Sequence, residues 1–134
     1  MKIVIIDGQG GKLGRMIVER IKSIGIPCEL TAIGTNSIAT SAMIKAGADA
    51  GATGENPVIV ASKQADIIIG PIGIIAADSL LGEITAEMAV AVGRSPARKL
   101  LLPINLCNNI IVGTGSLTLS KLIEEAVDEL AKMI

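Results

Sequence analysis

The chain has 134 residues, 50% of them apolar, and a formal net charge of −1. That is the size of one domain, with no basic footprint for a nucleic-acid backbone. It contains no Phe, Tyr, Trp or His, which excludes stacking of bases on aromatic rings and removes the commonest general base and metal ligand.

An apolar, β-branched run at residues 3–6 predicts a buried parallel strand. From Leu13 the pattern changes. Leu13, Met16, Ile17, Ile21 and Ile24 recur at helical spacing, with Lys12, Arg15, Glu19 and Lys22 on the other side, and Gly25 and Pro27 stop the helix. Residues 29–33 predict a second strand. The turn Gly34-Thr35-Asn36-Ser37 then leads into a small-residue helix at about 38–46, ended by Gly47. A short third strand is expected at 49–53. At Glu55-Asn56-Pro57 a helix is expected to begin, with Asn56 as cap and Pro57 as first helical residue. The run PVIVASKQA suits a strand as well; helix keeps the alternation.

Residues 66–69 predict a strand running into Gly70-Pro71-Ile72-Gly73. A helical region follows, broken near Gly82 and resumed at about 85–92. A strand is expected at 99–103 and another at 109–112, reached through a turn at 105–108. The last helix, about 118–133, has Leu119, Leu122, Ile123, Ala126, Val127 and Leu130 on one face. Alternating strands and helices predict a single α/β domain over residues 1–134, a Rossmann-like parallel sheet with helices on both faces.

A strand, a glycine-rich turn and an amphipathic helix form the phosphate-binding unit of dinucleotide folds. The first helical N–H groups lack internal partners and point at the turn, and glycines admit a pyrophosphate without a Cβ in the way. Here the turn is Gly8-Gln9-Gly10-Gly11-Lys12-Leu13-Gly14. As G-x-G-x-x-G it fails, because Leu13 falls on the third glycine; as G-x-x-G-x-x-G it fits Gly8, Gly11 and Gly14. A P-loop would need a glycine at Ile6 and a hydroxyl at Leu13. A tight strand-to-helix turn with no ligand is the plain alternative. Asp7 either accepts N–H groups of the turn or serves as a metal-bridging or catalytic acid.

The G-x-x-G-x-x-G spacing resembles that of the extended short-chain dehydrogenases. The stretch GQGGKLGR is similar to the loop of dihydrodipicolinate reductase, over about the first twenty residues. The whole chain also resembles a family of short bacterial proteins catalogued as a domain of unknown function. That likeness is carried by IDGQGG, GTNSIATSAMIKAGADAGATGEN, GPIGIIAADSLLGEIT and SPARKLLLPIN. It implies a Rossmann-like fold and assigns no substrate, cofactor or catalytic residue.

The functional expectation is a nucleotide-binding protein. NAD or NADP would lie across the glycine turn (Gly8 to Gly14), Gly34, Thr35 and Asn36, and Gly70, Pro71, Ile72 and Gly73. The end of the second strand lacks the acid that dinucleotide folds place there for the ribose hydroxyls. Asn36 or Ser37 could equally just cap the next helix, and Gly70 to Gly73 could be a plain helix-start turn with Pro71 fixing the backbone. Proton transfer would fall to Lys12, Asp7, Glu55 or Glu83, which form no recognisable catalytic set. The alternative is a non-catalytic sensor or assembly module that binds a small anionic effector or nothing. No metal site, membrane span or signal peptide is expected. Few surface charges on so apolar a chain predict a homo-oligomer, and Cys28 and Cys107 read as reduced, buried thiols of a cytoplasmic protein.

Overall fold

The structure, a computed structural model, describes residues 1–104 and 108–134. Its strands are β1 (Lys2–Asp7), β2 (Glu29–Gly34), β3 (Ala50–Thr53), β4 (Ile67–Pro71) and β5 (Arg98–Leu102). Its helices are α1 (Lys12–Ile24), α2 (Ser37–Ala46), α3 (Glu55–Gln64), α4 (Ala86–Arg94) and α5 (Leu119–Lys132), with one 3-10 turn at Ile72–Ile75.

The five strands form one parallel sheet in the order β3-β2-β1-β4-β5. Asp7 of β1 lies opposite Gly34 of β2, and Ile5 lies opposite Ile69 of β4. The chain winds outward from β1 to β3, and α3 carries it back to β4 on the other side of β1. The winding direction therefore reverses between β1 and β4, where Rossmann-like sheets open a crevice at the carboxyl ends of the strands. The fold is Rossmann-like, as the alternation of elements predicts.

Alternation along β1 sorts the core into two layers. Ile3 and Ile5 join Ile17, Ile21, Leu30, Met43, Val127 and Leu130 beneath α1, α2 and α5. Val4 and Ile6 point the other way, to Ile68, Ile74, Ile84, Met88 and Val92 beneath α3 and α4. Each fully buried Ile or Leu contributes about 1.5–3 kcal/mol relative to exposure.

Helix ends follow the local chemistry. Gly25 and Gly47 close α1 and α2 in the left-handed conformation, and side chains of Asn36, Thr85 and Thr118 cap α2, α4 and α5. Three expectations fail. Gly54, not Asn56, precedes α3, which puts Pro57 in the third helical position; the first-turn N–H groups have no helical acceptor, so proline is tolerated there too. Residues 109–112 form no strand: they pair with no strand of the sheet, and Ile110 and Val112 face outward. Residues 76–85 are a series of turns, with Asp78, Leu80 and Leu81 at positive φ, so the helical piece expected before Gly82 is limited to the 3-10 turn, while the one expected at 85–92 is present as α4. The expected turn at 105–108 falls mostly outside the described residues, and Asn108 takes a positive φ of 68°.

Candidate functional site

The β1–α1 turn sits at the crevice. Its glycines have different reasons to be glycine. A Cβ on Gly8 would lie 2.5 Å from Thr35 Oγ1, and one on Gly14 would lie 2.4 Å from Met43 Sδ. Gly11 has φ +74°, and its Cβ would lie 2.7 Å from the Ala39 Cα. These three are fixed by packing against β2, α2 and the 76–85 segment. Gly10 differs: nothing lies within 4 Å of its added Cβ, it is exposed, and its φ is not positive. Beside it, the N–H groups of Lys12 and Leu13 have no acceptor among the described residues.

Two carboxylates hold this turn. Gly11, the N-cap of α1, has no side chain to cap the helix. Asp7 does that from beneath: its Oδ2 accepts the Gly14 N–H at 2.7 Å and its Oδ1 accepts the Gly8 N–H at 2.8 Å. Burial raises the Asp7 carboxyl above its ordinary range. The two N–H groups oppose that rise, and the charge of Glu83 adds to it.

Glu83 arrives from the 76–85 segment. Its Oε1 accepts from Thr35 Oγ1 at 2.6 Å, Asn36 Nδ2 at 2.7 Å and the Gln9 N–H at 3.0 Å. Oε2 has no partner among the described residues. Burial works to raise this carboxyl, but the bonds from Thr35, Asn36 and Gln9 outweigh it and hold Glu83 below its ordinary range. Glu83 is thus an ionised acid at the junction of the glycine turn and the tip of β2. Asn36 completes the junction, donating also to the Gln9 carbonyl at 2.9 Å and accepting from the Ala39 N–H at 2.9 Å.

The family model described as "Domain of unknown function (DUF3842)" matches residues 2–134. The chain belongs to this family. No curated protein matches it. Among solved structures it is similar to a dodecameric FMN-dependent UbiX-like decarboxylase from Escherichia coli O157:H7. Identity is 15%, the TM-score is 0.46, and the match covers 98% of this chain and 95% of that one.

The other candidate residues of this DUF3842 chain divide by surroundings. Gly34 is packed, since its Cβ would meet Thr40 Oγ1 at 2.2 Å. Gly70 and Pro71 end β4, while Ile72 and Gly73 begin the 3-10 turn. They lie at the same end of the sheet as the glycine turn, but protein fills the space above the two glycines. A Cβ on Gly70 would lie 2.4 Å from the Ile6 carbonyl oxygen, and one on Gly73 would lie 2.9 Å from Ser79 Oγ, whose hydroxyl donates to the Gly73 carbonyl. Next to them is a cavity of about 280 Å³ lined by Ile72, Ile75, Ala76, Ser79 and Ile110.

Glu55 stands at the start of α3 and accepts from Thr85 Oγ1 at 2.5 Å, tying two helix starts together. Cys28 is a free thiol, partly rather than fully buried, because it precedes β2 instead of lying within it. Cys107 and Asn105 lie outside the described residues. Among those described, no three His, Cys, Asp or Glu side chains are placed to hold a metal, and no helix is long and apolar enough to cross a membrane.

The sequence names Glu83 as a candidate but not its partners, which are 48, 47 and 74 residues away. The end of β2 carries no acid of its own, but the 76–85 segment brings Glu83 against Thr35 and Asn36 there.

Proposed function

We propose that the protein binds a ribonucleotide across the β1–α1 turn and the tip of β2, with NAD preferred over NADP. The observation that carries this reading is Glu83. Its Oε1 is fixed by Thr35, Asn36 and Gln9, which leaves Oε2 to accept ribose hydroxyls, as the acid of dinucleotide folds does from the second strand. The same charge repels a 2′-phosphate.

The phosphates would meet the open backbone at Gly10, the N–H groups of Lys12 and Leu13, and the exposed Lys12 side chain. Asp7 does not oppose them directly, because both of its oxygens face N–H groups under the turn. The 280 Å³ cavity beyond β4 has room for part of the ligand.

The test uses a property of the composition. A chain without Phe, Tyr or Trp has almost no near-ultraviolet absorbance, so a band near 260 nm in the gently purified protein would be bound nucleotide, once nucleic acid is excluded. Calorimetric titration with NAD, NADP, FMN and adenine nucleotides then ranks them. NAD binding at least about tenfold tighter than NADP is the expected result, with the preference lost in Glu83→Gln. Failure of every nucleotide at millimolar concentration would overturn the reading.

A second reading is favoured by one observation. Ile38 (69% exposed), Leu81 (94%), Ile110 (88%) and Val112 (93%) all belong to loops or a helix start at the carboxyl end of the sheet. In it, this end is an assembly surface between copies of the chain, and the domain acts as a sensor or assembly module.

A further inference from the structure

We propose that the cleft between α3 and α4 binds a small amphipathic anion: an apolar chain or ring carrying one carboxylate. The cleft has a volume of about 420 Å³ and a mostly apolar wall that includes Ile59, Val90 and Ala91. It shares no lining residue with the glycine turn, β2 tip or Glu83, so it is independent of the nucleotide reading. Its size falls in the range of small-molecule sites, roughly 300–1,000 Å³.

Two observations point to a ligand with a charged head. Ser62 lines the cleft and is 1% exposed, and its Oγ is, among the described residues, the one buried side-chain polar atom without a hydrogen-bond partner. A buried hydroxyl left unpaired is unfavourable, and although Ser62 Oγ is sealed from solvent, a small side-chain adjustment at the cleft wall lets an entering carboxylate oxygen serve as its acceptor. The neighbouring Ser95 does not supply one: its hydroxyl donates to the Ser62 carbonyl at 2.5 Å and its oxygen accepts the Ala97 N–H at 3.1 Å.

The second observation is charge. In a parallel sheet, α3 and α4 both run back against the strands, so their last turns lie at the same end of the cleft. Those last turns carry Lys63 and Arg94. Each suits the negative end of its own helix dipole, and neither makes a hydrogen bond or ion pair among the described residues. Glu87, the cleft's acid, is in the first turn of α4, at the opposite end. The cleft therefore has a cationic end beside an unpaired hydroxyl and an apolar body leading away from it.

The experiment is calorimetric titration of the full chain with decanoate, and with decylamine as the cation of the same length. Saturable binding of decanoate and none of decylamine is expected. Arg94→Gln should weaken decanoate about tenfold through loss of a charge-assisted bond. Ser62→Ala should also weaken it while leaving the ligand-free melting temperature unchanged or higher, a combination that damage to the fold would not give. Ala91→Met should fill the cleft and abolish binding. Absence of decanoate binding to the wild type overturns the proposal, and so does binding that Ala91→Met and Arg94→Gln leave intact. Sedimentation in which Ala91→Met separates a dimer, with no decanoate bound by the wild type, would assign the cleft to a second copy instead.

Discussion

Glu83 Oε1 lies 2.7 Å from Asn36 Nδ2, and through that contact the 76–85 segment is fastened to the loop that follows β2. With Asp7 below the glycine turn, this puts two carboxylates of opposite behaviour side by side. Glu83 is held below its ordinary range and Asp7 above it. Their contributions to stability must therefore run in opposite directions with pH.

The signs follow from linkage. For Glu83 the unfolded state takes up the proton first, so its contribution is full above the unfolded value of about 4.3. It is lost as pH falls through the lower folded value. For Asp7 the folded state prefers the neutral form, so stability declines as pH rises from about 3.9 through the higher folded value. The melting-temperature difference between wild type and Glu83→Gln should accordingly widen as pH rises through the acid range. The difference between wild type and Asp7→Asn should shift against the wild type over the same range. Parallel melts of the three proteins from pH 3 to 7 check both, and two slopes of the same sign would contradict the account.

Gly10 and Gly11 are adjacent but should respond differently. Gly11→Ala puts a Cβ against the Ala39 backbone in a left-handed conformation and should cost about 1–3 kcal/mol. Gly10→Ala should change stability by less than about 0.5 kcal/mol, as at an unconstrained surface position. Gly10→Asp should fold normally and lose nucleotide affinity, since it adds bulk and charge where phosphate approaches. Denaturant titration and calorimetry separate the two effects. Unchanged affinity in Gly10→Asp would remove the phosphates from the turn.

Asn36 joins three elements through one side chain, capping α2 at Ala39 and bonding Gln9 and Glu83. Asn36→Ala should cost about 1–2 kcal/mol as a lost cap, plus the weakened fastening of Glu83. Asn36→Ser keeps a capping oxygen and should recover only the first part. Urea midpoints of the two variants measure the difference.

If the apolar rim at the carboxyl end meets another copy, light scattering should give a mass above the 13.7 kDa of one chain. Leu81→Asp and Val112→Asp should reduce that mass without lowering the melting temperature of the monomer, because both side chains are exposed within the chain. A monomeric wild type at micromolar concentration would refute the rim as an interface.

Most of the fold is legible in the sequence because its signals are local. The β-branched run of β1, the amphipathic face of α1, the glycine after it and the asparagine before α2 each act within one turn of chain. The failed strand has a non-local cause. Residues 109–112 have strand-like composition, but a strand needs a neighbour to complete its ladder, and nothing in four residues says whether one is free. The site was legible to the same degree. The glycine turn announces itself, and Asp7 reads correctly as an acceptor of its N–H groups. The multiplicity of glycines, however, reflects packing against Thr35, Ala39 and Met43 at three of four positions. The acid for the tip of β2 appears absent in sequence because Glu83 reaches it only through the β4–α4 connection.

The fastening of the 76–85 segment leaves one isotopic reporter. The Gln9 amide proton has a single acceptor, Glu83, 74 residues along the chain. It belongs to no helix or strand, so it is protected from exchange with deuterium only while that segment is closed. Its exchange rate counts the openings of the segment, separately from unfolding of the sheet beneath. A nucleotide held by Glu83 would register there as slowed exchange.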